Sequence, residues 1–166
     1  MLVWKDILSG DEMVTDTFPY SMPEEYNNAA LMVKGKYITK KSEFVAIASD
    51  DVDDGDADGE TVVDIVDAMR LQEVQLTKKD FMGIIKVFLG KLAKQLEADG
   101  KGDRVGDFKK GATGLVKFVV GKFDEFQFYV GESYDMEASL AMSYTADGEE
   151  NPTFFFFLDA MREEKL

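Results

Sequence analysis

The sequence predicts a single α+β domain spanning residues 1–166, and three observations lead to that class. Short apolar segments typical of strands occupy both ends of the chain. Between them, residues 78–124 hold two stretches with helical periodicity, which predict a helical hairpin. The length of 166 residues suits one domain, and the 45% content of apolar residues is enough to build its core.

The N-terminal part of the chain is predicted to form strands. Residues 1–6 alternate in polarity, and polar turns together with Gly35 separate the apolar segments that follow. These segments are 31–33, 37–38 and 44–47. Their length and spacing favour strands over helices.

An acidic segment at 49–61 interrupts the strand pattern. It is rich in Asp, contains Gly55 and Gly59, and has too few large apolar side chains to offset the entropy lost on ordering. We predict a flexible acidic loop there. Strand character returns at 62–66, and 71–76 is predicted to be extended.

The helical hairpin carries the clearest local signal in the chain. Thr77 is a suitable N-cap, and large apolar residues follow it at helical spacing. In the first helix they are Phe81, Ile84, Ile85, Phe88, Leu89, Leu92 and Leu96. Glycines at 100, 102 and 106 end that pattern. In the second helix the apolar residues are Phe108, Ala112, Leu115, Val116, Val119, Val120 and Phe123.

Strands are predicted again at the C-terminal end, over 126–130, 140–145 and 153–158. The last of these contains the run Phe154–Leu158, which does not alternate in polarity. A run of this kind is typical of a strand that is covered on both faces.

The absence of two residue types excludes much chemistry. The sequence contains no Cys and no His, so it cannot form a disulfide, a thiolate or imidazole zinc site, or a Ser-His-Asp triad. Lys5 and Asp6 precede any apolar stretch, and no apolar run approaches the length of a membrane span. We therefore expect a cytoplasmic protein.

Charge is distributed unevenly along the chain. The net charge is −14, which argues against binding to nucleic acid. However, residues 78–122 contain eleven basic and five acidic side chains, a local charge of +6, which leaves −20 for the remainder. The hairpin is therefore a basic element on an acidic protein.

Several segments, taken in order, resemble the translationally controlled tumour protein family. The opening segment 1–13, MLVWKDILSGDEM, is similar to the opening of that family, with an aromatic residue at 4 and an Asp-Glu pair. The block 123–132, FDEFQFYVGE, is similar to a second signature of the family. The acidic loop and the helical pair lie between them, so that the resemblance spans nearly the whole chain.

The resemblance implies both a fold and a set of partners. The implied fold is a β-tent of twisted, mainly antiparallel sheets with a projecting antiparallel helical hairpin and a flexible acidic loop. The implied partners are small GTPases of the Rheb or Rab type, tubulin and an elongation factor, in support of growth and survival. The residues implied in GTPase binding are Glu12, Glu132, Leu71 and Gln72.

Two glutamates carry the GTPase hypothesis, and each has an ordinary alternative. Ser9 and Glu12 have the spacing of a helix capping box, so Glu12 is otherwise a turn or cap residue. Glu132 follows Gly131 at a strand end and is otherwise an exposed turn residue. Both alternatives remain open on the sequence.

A second hypothesis concerns calcium. Asp54, Asp56 and Asp58 match the first, third and fifth positions of an EF-hand loop, but Ile65 stands where the bidentate Glu is required. A true EF-hand is therefore not expected. Weak calcium binding by clustered carboxylates is one interpretation, and a solvated acidic loop is the other.

A third hypothesis concerns the outward lysines of the hairpin. They form a positive patch suited to tubulin or another acidic partner, or else a solvated helix face. They are Lys86, Lys91, Lys94, Lys110 and Lys117.

The leading interpretation is a monomeric, non-enzymatic interaction protein with no required cofactor. The alternative is a calcium buffer or sensor centred on the acidic loop. A hydrolase that uses paired carboxylates ranks last, because no pair has a reason to have separated pKa values.

Overall fold

The computed structural model describes residues 1–41 and 59–166 and has antiparallel sheets with a few helices. The strands are β1 Leu2–Asp6, β2 Glu12–Thr15, β3 Tyr20–Ser21, β4 Ala30–Lys34, β5 Tyr37–Lys41, β6 Gly59–Val63, β7 Gln72–Val74, β8 Phe126–Val130, β9 Ala141–Tyr144, β10 Thr153–Phe157 and β11 Met161–Lys165. The α-helices are α1 Asp64–Met69, α2 Lys78–Ala98 and α3 Val105–Gly121. This arrangement confirms the predicted α+β class.

In the part of the chain that the structure describes, three antiparallel sheets organise the strands. The largest has the order β3-β4-β10-β9-β8-β7, a second has the order β11-β1-β2, and β5 pairs with β6 as a two-stranded ribbon. The large sheet separates two hydrophobic cores. One face of the large sheet packs against α2 and α3, and the other face packs against side chains of β1, β2 and α1.

The central strand β10 explains the phenylalanine run. Phe155 and Phe157 belong to the core beneath the helices, whereas Phe154 and Phe156 belong to the core shared with β1 and β2. All four side chains are buried. The prediction of a strand covered on both faces is therefore confirmed, and the missing polar alternation follows from having two cores instead of one.

The helical hairpin begins where its cap predicts. The Thr77 hydroxyl accepts a hydrogen bond from the Asp80 backbone N–H at 3.0 Å, and the Asp80 carboxylate accepts one from the Thr77 N–H at 3.2 Å. This reciprocal pair satisfies two donors at the first turn of α2. The helix then buries Phe81, Phe88 and Leu92 against the large sheet.

The segment after β6 differs from the prediction. The chain leaves the strand at Val63 and forms α1, although 62–66 was predicted as a strand. The Asp64 carboxylate accepts hydrogen bonds from the N–H groups of Lys36 and Ile65, at 2.9 and 2.8 Å, and so favours a helix start over a continued ladder.

The predicted extent of the acidic loop is corrected at one end. Strand β6 begins at Gly59 and pairs with β5, so the predicted loop was wrong over 59–61. The remainder of the predicted loop, 49–58, and the predicted strand 44–47 lie outside the described residues. Within the described residues, none of the helices has the length and apolar character needed to cross a membrane.

Candidate partner-binding site

Three separate parts of the chain meet at one exposed groove. They are the turn between β1 and β2, the end of α1, and Glu132 in the turn after β8. The groove has a volume of about 440 Å³, and its lining includes Glu12, Arg70 and Glu132. The fold thus brings the two glutamates of the GTPase hypothesis to one site, although 120 positions separate them in the sequence. We call this site the acidic groove.

A buried carboxylate shapes the turn that carries Glu12. Asp6 is 3% exposed, and its side chain accepts hydrogen bonds from the N–H groups of Leu8 at 2.8 Å and Ser139 at 2.7 Å. Gly10 has a φ of +80°, a conformation that favours glycine, and its N–H donates to the Asp6 carbonyl. The segment is therefore a tight turn leading into β2, and the alternative of a helix capping box at Ser9–Glu12 is wrong.

Asp11 ties this turn to the segment after β8. Its carboxylate accepts hydrogen bonds from the Ser133 hydroxyl at 2.6 Å and from the Ser133 N–H at 3.2 Å. Gly131 lies directly against Asp11, and a Cβ at that position would overlap the carboxylate. Glu132 is consequently fixed between two residues that contact Asp11.

Arg70 is the functional candidate that the sequence did not indicate. It ends α1 in the left-handed conformation, with φ of 56°, and its Nη1 lies 3.1 Å from Glu132 Oε1. Because both side chains are more than half exposed, this ion pair contributes little stability and is readily exchanged for a partner's contact. Its position depends on how α1 ends, and the sequence analysis predicted no helix there, only a strand over 62–66.

The two remaining residues of the predicted GTPase site behave differently. Gln72 is exposed at the start of β7, and its side-chain amide donates to the Arg70 carbonyl at 3.1 Å, so it lies beside the acidic groove. Leu71 is only 6% exposed and packs in the core that contains Trp4 and Met13. Its side chain therefore offers a partner little surface, and contact through Leu71 stays a prediction.

The five predicted lysines are all exposed, but they do not form one cluster. Lys86 and Lys94 line a groove of about 500 Å³ between α2 and α3, above Phe108. Lys91 lies on another side of α2, with its Nζ 3.9 Å from the Glu137 carboxylate. Lys110 and Lys117 are seven residues apart, on one face of α3.

Metal ligands are not assembled in the part of the chain that the structure describes. Within residues 1–41 and 59–166, no three acidic side chains converge in an arrangement that would hold an ion. Asp54, Asp56 and Asp58, the predicted calcium ligands, lie outside the described residues.

The fold and the groove define a class: an α+β protein of antiparallel sheets with a helical hairpin on one face and an acidic groove beside the other core. The chain belongs to the translationally controlled tumour protein family, whose model matches residues 1–162. The family resemblance that the two signatures indicate is therefore confirmed.

Relatives and solved structures agree with this assignment. The homologue from Plasmodium yoelii yoelii is 40% identical to this chain, with 99% of both chains covered. The protein called homologue 1 from Dictyostelium discoideum is 36% identical, also with 99% of both chains covered. Among solved structures, the tumour-associated protein p23fyp from Schizosaccharomyces pombe has a TM-score of 0.84 at 28% identity, with both chains fully covered. The Caenorhabditis elegans protein has a TM-score of 0.69 at 26% identity, covering 100% of this chain and 99% of that one.

Proposed function

We propose that the protein is a non-enzymatic, cytoplasmic interaction protein that binds a small GTPase of the Rheb or Rab type through the acidic groove. The observation that supports this proposal most directly is the shared location of Glu12 and Glu132 in one groove. Two exposed carboxylates in one groove suit a partner that presents basic side chains, or groups linked to its bound Mg²⁺.

The environment of the two glutamates supports the same proposal. Asp11 already accepts two hydrogen bonds from Ser133, and Arg70 pairs with Glu132, so among contacts within residues 1–41 and 59–166 Glu12 is the least engaged carboxylate of the groove. A basic side chain of the partner competes with Arg70 for Glu132 and pairs directly with Glu12. The groove thus discriminates by charge, and its contribution weakens as salt rises.

The lysines of the hairpin suggest a second docking surface on the same interaction protein. Lys86 and Lys94 flank an apolar groove between the helices, and Lys110 and Lys117 extend positive charge along α3. Acidic segments of tubulin or of an elongation factor are the partners that fit this charge. Support of growth and survival would follow from these contacts.

Calcium binding is the alternative function and rests on the spacing of Asp54, Asp56 and Asp58 alone. Carboxylates at this spacing repel one another until a cation binds, which favours weak binding, at about 10⁻⁴ M or weaker. A residue-by-residue NMR titration would test it: unmoved signals from 54–58 at millimolar Ca²⁺ would exclude the site.

The GTPase proposal is tested by binding measurements with purified Rheb-type and Rab-type GTPases, each loaded with GDP or with a GTP analogue. We expect Glu12→Ala and Glu132→Ala each to weaken binding several-fold without altering the unfolding midpoint, because both side chains are exposed. A variant with charge reversal at Lys86, Lys94 and Lys110 serves as a control on the other surface. Unchanged affinity of Glu12→Ala for every GTPase that binds would overturn the proposal.

A further inference from the structure

Strand β11 is an edge strand of the three-stranded sheet. It pairs with β1 over its whole length, and within residues 1–41 and 59–166 no strand pairs with its other side. An open edge presents unpaired backbone groups, and a strand of another molecule can add to them. The outer side of β11 is therefore a place where a further strand fits.

The hydrogen bonds at the two ends of the β1–β11 ladder determine which residues of β11 face outward. The Leu166 N–H donates to the Met1 carbonyl at 2.8 Å, and the Ile7 N–H donates to the Ala160 carbonyl at 2.9 Å. Because hydrogen-bonded pairs recur at every second residue of an antiparallel ladder, the even-numbered residues of β11 bond to β1. The backbone groups of its odd-numbered residues consequently point away from β1.

Three residues thus form the outward side of β11. Glu163 and Lys165 each present an N–H and a carbonyl there, whereas Met161 presents only a carbonyl, since its N–H donates to the Leu158 carbonyl. Among the backbone hydrogen bonds of the two described ranges, the outward groups have no partner. They extend over about 14 Å, which matches a short strand of a partner.

A cavity of about 430 Å³ lies beside this edge, between β11 and the C-terminal half of α2, and we call it the β11 cleft. Its lining includes Met161 and Glu163 from β11, and Leu92 and Leu96 from α2. Arg162 also lines it, although alternate side chains of a strand lie on opposite faces, so the cleft reaches the edge of β11 as well as one face. Residues directly opposite in a strand pair share a face. A strand that adds to β11 therefore directs every second side chain into the cleft.

The lining of the β11 cleft defines the segment that fits it. Leu92, Leu96 and Met161 are buried and form an apolar floor, whereas Glu163 is an exposed carboxylate at the rim. The matching strand carries a large apolar side chain opposite Met161 and a basic one opposite Glu163. Antiparallel pairing is the more stable arrangement, and in it the basic residue precedes the apolar residue by two positions.

A second copy of this chain does not match the edge. Outward residues must pair with outward residues, so a twofold pair of β11 strands is centred on residue 162, 163 or 164. These registers place Arg162 opposite Arg162, Glu163 opposite Glu163, or Glu164 opposite Glu164. Like charges directly opposite each other destabilise a strand pair. The charges of β11 thus oppose self-association and favour a different chain.

We propose that β11 binds an extended segment of a partner protein by antiparallel strand addition. A basic residue of that segment lies opposite Glu163, and a large apolar residue two positions later enters the β11 cleft. Main-chain hydrogen bonds supply the affinity, and the cleft selects the sequence. The inference goes beyond the proposed function, because it involves none of the residues of the acidic groove.

Two substitutions block this surface by different means. Glu163→Pro removes an outward N–H and leaves the ladder with β1 intact, and proline is tolerated on an edge strand where the N–H faces solvent. Glu163→Gln keeps that N–H and is its matched control. Gln95→Phe fills the cleft from an exposed position on α2. Lys94→Phe places the same side chain on the neighbouring residue, which lines a different groove, and controls for the added phenylalanine.

The experiment selects peptides from a displayed library of random short sequences on the wild-type protein and measures their affinity for each variant. We expect the recovered peptides to share a basic residue followed two positions later by a large apolar residue. Glu163→Pro and Gln95→Phe should each weaken binding about tenfold or more. Glu163→Gln should weaken it about threefold, and Lys94→Phe should bind like the wild type. Bound peptide should also slow hydrogen exchange at the Glu163 amide.

Three outcomes overturn the inference. It fails if no peptide is recovered, or if the recovered peptides bind Glu163→Pro as tightly as the wild type. It fails if the Glu163 amide already exchanges slowly in the free protein, because the edge is then covered by the chain itself. It also fails if ultracentrifugation shows a wild-type dimer that Glu163→Pro dissociates, because the occupant is then a second copy. GTPase binding by the acidic groove is measured separately and is decided by neither result.

Discussion

The Asp11 carboxylate accepts hydrogen bonds from both the hydroxyl and the backbone N–H of Ser133, a residue 122 positions later in the chain. Asp11 belongs to the turn between β1 and β2 of the three-stranded sheet, and Ser133 lies three residues after the end of β8 of the large sheet. This contact joins the two sheets at the acidic groove and sets the position of Glu132 between Gly131 and Ser133.

Removal of this contact should weaken both the fold and the binding site. We expect Asp11→Ala to lower the free energy of unfolding by about 1 to 3 kcal/mol, since hydrogen bonds to a charged acceptor are lost. We also expect weaker GTPase binding than in the wild type, because Glu132 is no longer held beside Glu12. Urea unfolding and binding measurements on the same samples test both effects.

The neighbouring substitution Glu12→Ala is the control for stability, since the Glu12 side chain is exposed. It should leave the urea midpoint unchanged while it weakens binding. An Asp11→Ala variant with wild-type stability and wild-type affinity would show that the link to Ser133 has no structural role.

The helical hairpin was predictable because its signals are local. A cap at Thr77 and a regular apolar stripe act within a few residues of one another, and they coincide with the buried face of α2. Helix α1 was not predictable in the same way. Residues 62–66 favour a strand by pattern, and the helix begins at Asp64 because the Asp64 side chain accepts a hydrogen bond from the N–H of Lys36, 28 residues earlier.

The candidate site likewise combines residues that the sequence indicated with contacts that depend on distant parts of the chain. The family resemblance indicated Glu12 and Glu132, but it could not reveal that Arg70 pairs with Glu132, since this contact depends on how α1 ends. Burial of Leu71 was equally hidden, because its neighbours Trp4 and Met13 come from distant strands. Local sequence patterns do not record contacts of this range.

Arg104 and Asp159 form the second long-range link for which we make a prediction. Arg104 Nε and Nη2 each lie 3.0 Å from an Asp159 oxygen, and Nη1 donates to the Asn27 carbonyl at 2.8 Å. The hydrogen bond to Asp159 raises the pKa of the guanidinium above its ordinary value. We expect Arg104→Ala to lower the free energy of unfolding by about 2 to 4 kcal/mol, because it leaves Asp159, only 12% exposed, without its partner.

Arg104→Lys separates geometry from charge in this link. Lysine keeps the positive charge but cannot reproduce the paired N–H donors, so we expect it to restore less than half of the lost stability. Thermal unfolding of the wild type and of both variants measures the difference. Full rescue by lysine would show that only the charge of Arg104 matters.

Tyr129 makes stability depend on pH in the alkaline range. Burial, together with the nearby Glu73 and Tyr37, raises the pKa of its phenol from about 10 to about 12. The folded protein therefore holds this proton more tightly than the unfolded chain does. Its contribution to stability is complete below pH 10 and is lost as pH rises from 10 to 12, by about 2 to 3 kcal/mol.

Tyr129→Phe removes the titrating group with little change of shape. We expect the variant and the wild type to differ by a constant amount in urea midpoint below pH 10, and the difference to shift in favour of the variant above it. Other groups that titrate in this range affect both proteins equally. Parallel curves up to pH 11.5 would mean that the Tyr129 phenol is not protected by the fold.

Gly111 should be intolerant of even the smallest side chain, although it lies inside helix α3. Alanine in place of an exposed helical glycine usually stabilises a protein by about 0.5 to 1 kcal/mol. At Gly111 a Cβ would overlap the Tyr26 carbonyl group and crowd the Ala29 side chain. Because backbone atoms cannot move aside as a flexible side chain can, we expect Gly111→Ala to lower the free energy of unfolding by about 1 to 3 kcal/mol.

Gly106→Ala is the matched comparison, since it lies in the same helix and its Cβ would have open space. It should raise the unfolding midpoint while Gly111→Ala lowers it, so the sign of the change separates steric contact from helix propensity. Thermal and urea unfolding of the two variants measure this directly. If both variants stabilise the protein, the turn containing Tyr26 is free to retreat from α3, and its close packing against that helix does not contribute to the fold.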